Sequence, residues 1–261
     1  MIIDLKIPEH AYFYRFALTD GNLYESSRNR GRLTIEISSQ DCDLLKSFTK
    51  IFNVKSSYSE RLRKTNFSNN NLISFSKFGI YDLNFRNELK ECGFPIGKKS
   101  NIISPPLKEF SEIDFIRGLI DGDGSVGITS KGLPFISFTT ASEDIRNYIV
   151  NFINKTLHRN INPQRNKRDS VYNIMVNSTP AQQLYKILYY DNCLCLTRKN
   201  HNEILNWKPQ ILRNITIPAK RWNKDEDLFI LTHTIEESIK ELNRTHQSIY
   251  KRLWTLKKNE S

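Results

Sequence analysis

The chain repeats itself, and that repetition limits its fold more than any other feature. Tyr12 to Asn22 aligns with Phe115 to Ser125 so that Asp20-Gly21 falls on Asp123-Gly124, and the same offset carries Leu33 to Asp41 onto Ile136 to Asp144. Farther along, Phe94 to Lys99 falls on Leu194 to Lys199 at a slightly shorter offset, a difference that loops between strands absorb. Two copies of one unit of about 100 residues follow. Hydrophobic residues make up 38% of the 261 positions, enough for each copy to bury a core.

Each copy predicts the same element order. Pro8 suits the first turn of a helix with Tyr12, Phe13, Phe16 and Ala17 on one face. In copy two, Ser111 and Asp114 have the spacing of a capping box and predict a helix from Glu112 to Ile120. Strands are predicted at Leu23–Tyr24 and Arg32–Ser38, and at Val126–Ile128 and Pro134–Thr139. Within them Leu33, Ile35 and Ile37 alternate with Thr34, Glu36 and Ser38, and Ile136 and Phe138 alternate with Ser137 and Thr139. Such alternation gives sheets with one face against helices and one face wet. Second helices start at Asp41 or Asp43 and at Ser142, reaching Asn53 and Leu157. Second hairpins return along Leu72–Ser76 and Val171–Val176, and third helices cover Tyr81–Cys92 and Ala181–Tyr190. The expected fold class is α+β, with two αββαββα units at residues 1–108 and 109–205.

The predicted second-copy helix runs into Asp121-Gly122-Asp123-Gly124. Acids at a helix C-terminus oppose the macrodipole, so they point to a task other than local stability, although Asp-Gly is also ordinary turn chemistry. Recurrence of Asp20-Gly21 at the same register favours the task. Two such helices packed side by side bring Asp20 and Asp123 together, and a shared hard divalent cation relieves the repulsion, with Mg²⁺ the usual cellular choice. Carboxylates, water and phosphate oxygens around Mg²⁺ suit phosphodiester hydrolysis, and one site on each side of a twofold axis addresses both strands of a duplex. Lys plus Arg outnumber Asp plus Glu by 39 to 28, a net charge of +11 that suits a polyanion. The four cysteines form no Cys-x-x-Cys unit, and five histidines are too sparse for a structural zinc cluster. No run approaches a membrane span and no export signal is visible, so the expected setting is intracellular, in a bacterial or phage-infected cytoplasm or an organelle, and not secreted.

Phe115-Ile-Arg-Gly-Leu-Ile-Asp-Gly-Asp-Gly124 resembles the signature helix of the LAGLIDADG homing endonucleases, and Tyr12 to Gly21 resembles the degenerate first copy of their single-chain, two-repeat members. The resemblance covers about residues 8–205. It implies a pseudosymmetric monomer whose saddle-shaped antiparallel sheets sit over double-stranded DNA, on a site of about 20 base pairs or longer. It further implies cleavage of both strands across the minor groove with four-base 3′ overhangs. Two or three Mg²⁺ ions are then bound by the last aspartate of each motif, here Asp20 and Asp123, with Ca²⁺ substituting without cleavage. Asp121, opposite Leu18 of the first copy, is expected to be structural. The family also implies one basic residue per unit near the active centre. Lys99 and Lys199 match there, as mobile point charges that polarise water or screen a phosphate. The small residue expected at the helix crossing is Gly118 in copy two but Arg15 in copy one, so Arg15 should either snorkel outward or displace the first helix.

DNA contacts are expected from the wet strand faces and their loops. Ser26, Arg28, Arg30, Arg32, Thr34 and Glu36 belong to the first hairpin, and Ser125, Thr129, Lys131, Ser137 and Thr139 to its counterpart. Arg61, Arg63 and Lys64, with Arg165, Lys167 and Arg168, mark the second hairpins as phosphate contacts first and base readers second. After Trp207-Lys-Pro209 the pattern turns helical, with a connector at 206–220 and a small all-α domain at 221–261. There Asn223 caps a helix, a second runs from Ile235 to Leu242, and a third from His246 to Leu256. Through Trp222, the acidic run after it, Arg244-Thr245 and Ile249 to Leu253, this tail resembles a Myb/SANT-like helix-turn-helix module. The resemblance implies DNA contacts from Thr245, Gln247, Ser248, Lys251 and Arg252, with Arg213 and Lys220 of the connector tracking the backbone; the alternative is a helical cap docked on the core. The leading expectation is a sequence-specific DNA endonuclease. The rivals are a maturase acting on intron RNA and a catalytically inactive DNA-binding regulator.

Overall fold

The computed structural model describes residues 1–64, 72–97, 102–209 and 221–259. Lys99, Arg213 and Lys220 lie outside the described residues, as does the side chain of Lys64. The chain forms two compact units, Met1–Pro209 and Gln210–Ser261.

In the first unit, helix α1 (Pro8–Asp20) starts on a proline that has no donor to leave unsatisfied. It turns directly into β1 (Gly21–Glu25), because a Cβ at Gly21 would stand only 2.5 Å from the Ala17 carbonyl oxygen. Then come β2 (Gly31–Ser38), α2 (Cys42–Ile51), β3 (Ser56–Lys64), β4 (Leu72–Ile80) and α3 (Leu83–Glu91). The second copy follows with α4 (Glu112–Asp123), β5 (Gly124–Ile128), β6 (Pro134–Thr140), α5 (Glu143–Leu157), β7 (Tyr172–Asn177), α6 (Ser178–Leu188) and the short α7 (Asn202–Leu205). Two antiparallel sheets result, ordered β1-β2-β4-β3 and β5-β6-β7.

Each sheet buries its apolar face, but the two halves of the core differ in kind. Around α1 the filling is aromatic, with the Phe13 ring set edge-on to Phe48 and Phe52 at centroid distances of 4.8 Å. Around α4 it is aliphatic, built from buried Ile116, Ile120, Ile136, Ile149, Ile174 and Leu184. Each such side chain contributes about 1.5–3 kcal/mol on burial, so the repeat conserves the pattern of burial and lets its chemistry vary.

Three expectations need correction. Helix α4 continues past Ile120 to Asp123, because the Lys199 ammonium holds the carbonyls at its end. Ser111 does not close a capping box, since its hydroxyl donates to the Asp114 carboxylate, which also pairs with Arg117. The second copy of the repeat has three strands among its described residues instead of four. Its segment before β7 carries Pro163, which lacks a donor, and turns at Asn166–Ser170, leaving one isolated bridge between Arg165 and Tyr172.

The second unit contains α8 (Lys224–Thr232), α9 (Ile235–Leu242) and α10 (His246–Asn259). Asn223 caps α8 in a reciprocal capping box with Glu226, and Thr234 does the same for α9 with Glu237. Ile230 and Ile249 form its buried centre. Arg244 stacks on the Trp222 ring at 3.9 Å and pairs with Glu226 at 2.8 Å.

Candidate active site and nucleic-acid faces

Helices α1 and α4 pack along each other and end at Asp20 and Asp123, whose side chains are exposed. A Cβ at Gly122 would lie 2.0 Å from the Thr19 hydroxyl oxygen, so the two helix ends touch one residue before each aspartate. That contact sets both acids at the same end of the helix pair. The Thr19 hydroxyl lies 2.9 Å from the Asp20 carboxylate and 2.7 Å from the Phe16 carbonyl, which orients Asp20. Asp123 opens onto a pocket of about 300 Å³ that Thr19, Thr139 and Thr140 also line.

Two exposed carboxylates are a hard-oxygen donor set that fits Mg²⁺ or Ca²⁺, with water and phosphate oxygens completing the coordination. Among the described residues no group of three or more His, Cys, Asp or Glu side chains gathers to hold a metal without such outside ligands.

Asp121 faces the opposite way. It is buried and accepts hydrogen bonds at 2.7 Å from the Tyr12 hydroxyl, the Tyr189 hydroxyl and the Leu196 amide. Burial pushes its carboxyl above the ordinary range against the pull of those donors. It fastens the second-copy core to the first-copy helix, in keeping with the structural role expected of it.

Lys199 corrects the expectation of a mobile charge. The residue is 3% exposed, and its ammonium donates to the Ile120, Asp121 and Gly124 carbonyls at 2.7, 2.6 and 2.8 Å. Burial lowers it to about 8, opposed by the Asp121 carboxylate. All three protons are occupied in closing the end of the helix that carries Asp123, a favourable place for a cation.

Arg15 does not snorkel outward. It stays inside the crossing, 1% exposed, with its guanidinium over the Phe115 ring at 5.6 Å and its Nε and Nη1 without hydrogen-bond partners. Burial lowers it to about 10, offset by the charges of Asp123 and Asp20.

The sheets present two polar faces. On the first lie Arg32, Thr34 and Glu36 of β2 together with Arg61 and Arg63 of β3. Both of those arginines lean on Glu36, at 2.6 and 3.4 Å, so the three side chains form one bound cluster. Lys64 closes β3, and Ser26, Arg28 and Arg30 sit in the loop between β1 and β2. The second face carries Ser125, Ser137 and Thr139, with Thr129 and Lys131 in the β5–β6 turn. Arg165 stacks on Tyr172 at 4.8 Å, while Lys167 and Arg168 occupy the turn before β7. Sequence reasoning missed Lys77 and Ser59, which share the first face with Glu36, and Asn173 and Met175, which share the second. Alternation with buried Tyr172, Ile174 and Val176 was the signal that would have found the last two. Asn173 lies 2.8 Å from the Thr139 hydroxyl.

In the three-helix unit, Gln247 and Lys251 are exposed, and the amide of Ser248 donates to the Thr245 hydroxyl at 3.3 Å. Arg252 is held by both oxygens of Asp227 at 2.7 and 2.6 Å, which makes it a tie within the unit.

Residues 111–188 match the LAGLIDADG-like domain family. The fold is that of LAGLIDADG homing endonucleases. The homing endonuclease I-WcaI, bound to its DNA recognition sequence, matches 75% of this chain and 85% of its own, at 15% identity and a TM-score of 0.53. The I-LtrWI LAGLIDADG homing endonuclease, bound to target DNA, matches 72% and 85% at 12% identity and a TM-score of 0.41. No curated protein matches the sequence. Among the described residues no helix is long and apolar enough to cross a membrane.

Proposed function

We propose that this protein is a sequence-specific DNA endonuclease of the homing type, which cuts both strands of a long duplex site by divalent-metal-dependent hydrolysis and leaves four-base 3′ overhangs. The observation that carries this reading is the pair of exposed aspartates, Asp20 and Asp123, at the abutting ends of α1 and α4. Their carboxylates would hold the cation, and Thr19 orients the first of them. The chemistry that Mg²⁺ would supply when held there is activation of water and neutralisation of charge on the leaving oxygen. Lys199 acts by holding the end of α4, so it keeps Asp123 in place without exchanging protons with the substrate. The polar faces of the two sheets read one half-site each, using Arg28, Arg30 and Arg32 on one side and Ser125, Lys131, Ser137 and Thr139 on the other. Since both halves are in one chain, a monomer is sufficient. The three-helix unit adds contacts through Thr245, Gln247, Ser248 and Lys251, which lengthen the footprint without touching the chemistry.

The deciding experiment uses Asp20→Asn and Asp123→Asn. Each is expected to abolish double-strand cleavage of the target in Mg²⁺ while DNA affinity in Ca²⁺ stays within a few fold. Full cleavage by either variant refutes the assignment.

A further inference from the structure

The hairpins that open the two sheets end in turns of matching register. Ser26 N donates to Arg30 O at 2.7 Å in the first, and Thr129 N donates to Leu133 O at 2.8 Å in the second. Asn29 and Gly132 hold the same place in these turns, and both have positive φ, 56° and 73°. The carbonyl oxygen of each is captured from outside the hairpin. Arg86 Nη2 donates to Asn29 O at 2.6 Å, and Trp207 Nε1 donates to Gly132 O at 2.8 Å.

The two donors are unrelated in the repeat. Arg86 comes from α3, is 1% exposed, and uses Nη1 for Glu25 at 3.0 Å while its Nε has no partner. Trp207 follows α7, and Gln182 of α6 fixes its segment by donating to the Ile204, Leu205 and Trp207 carbonyls at 2.9, 3.1 and 2.7 Å. One carbonyl has therefore been tied down twice, by different chemistry, in two copies that otherwise diverged. Burying Arg86 with an unsatisfied Nε costs stability, so local packing is a poor reason for it.

β4 pairs with β2 only as far as Leu33 and β7 with β6 only as far as Phe135, so the turns beyond these residues project from the sheets and are the parts of the hairpins freest to shift. The tips carry Arg28 and Arg30 in one copy and Lys131 in the other. Base readout tolerates displacements of only about 0.5 Å before hydrogen bonds to base edges fail.

We propose that Arg86 and Trp207 are positioning residues for nucleic-acid readout: each fixes the pitch of one hairpin and so sets base discrimination in one half of the recognition site. This rests on the reading of the sheets as DNA-binding faces.

The test uses the full chain, a target duplex selected with the wild-type protein, and a panel of duplexes each carrying one substituted base pair. Trp207→Phe keeps an aromatic side chain and removes the indole N–H. Arg86→Lys keeps the charge beside Glu25 and loses the fork that reaches Asn29. Loss of one hydrogen bond of ordinary strength corresponds to about five-fold. Trp207→Phe is expected to reduce discrimination about that much at positions in one half-site, leaving the other half and the urea midpoint near wild type. Arg86→Lys is expected to do the same in the opposite half. Discrimination that stays unchanged, or falls evenly across both halves, overturns the proposal. If Arg86→Lys fails to fold, Trp207→Phe decides alone. A wild-type protein with no site preference refutes the endonuclease reading itself, an outcome distinct from a preference that these substitutions do not move.

Discussion

Arg15 lies directly across the helix crossing from Gly118: a Cβ added to Gly118 would stand 3.1 Å from the Arg15 Cβ and 2.6 Å from the Tyr12 carbonyl oxygen. The crossing stays tight because one partner is glycine, so the other can be as large as arginine. Its guanidinium then has nowhere wet to go.

That burial makes an unusual forecast. Leaving water costs a guanidinium several kcal/mol, whereas the Phe115 face returns at most about 2 kcal/mol. Arg15→Met keeps the stem and discards the charge, so it is expected to raise stability by about 1 kcal/mol or more. Urea denaturation checks this; a lower midpoint with an unchanged slope contradicts it.

Asp121 and Asp123 are two residues apart and should respond in opposite ways. Asp121→Leu leaves the Tyr12 and Tyr189 hydroxyls and the Leu196 amide without their acceptor, a loss of about 3–5 kcal/mol. Asp123→Asn, exposed and isosteric, should stay within about 0.5 kcal/mol of wild type. Thermal unfolding of the two variants side by side is the measurement, and equal losses would show that the division of roles is wrong.

Lys199 sets a pH dependence with a definite sign. Its folded-state pKa is lowered by burial from 10.5 to about 8, so the unfolded chain binds this proton more tightly. Its contribution to stability is therefore constant below about 8 and rises as pH climbs from there to 10.5. Urea midpoints of wild type minus Lys199→Met between pH 7 and 10 isolate it, and a difference that falls with pH reverses the sign. At pH 7 the variant should be less stable by about 1–3 kcal/mol, since three carbonyls lose their donor.

In the three-helix unit, Arg244→Met removes an ion-pair partner of buried Glu226 and the cation above Trp222. Breaking a buried pair costs about 3–5 kcal/mol, more than so small a unit can lose. Hydrogen exchange should show amides of α8 to α10 losing protection while those of β2 and β6 keep theirs. Retained protection throughout would mean that the unit draws its stability from elsewhere.

What the sequence determined by itself was whatever depends on near neighbours. The repeat placed Asp20 and Asp123 at one register, alternation named the core faces of β2 and β6, and Asn223 before an acidic run announced the start of α8. These are properties of periodicity and turn chemistry within a few residues. Tertiary structure alone decided which distant group fills which gap. Lys199 reads as an exposed basic turn until the Ile120 and Gly124 carbonyls come within 2.8 Å of it. Arg86 and Trp207 carry no local mark of the turns they hold, and the Asp114 carboxylate takes the Ser111 hydroxyl and Arg117 together instead of closing a capping box. Packing against α1 on one side and against Tyr189 and Leu196 on the other makes Asp121 structural, while Asp123 stays exposed. Two aspartates of the same chemistry, two residues apart, differ only in which side of the helix the rest of the chain covers.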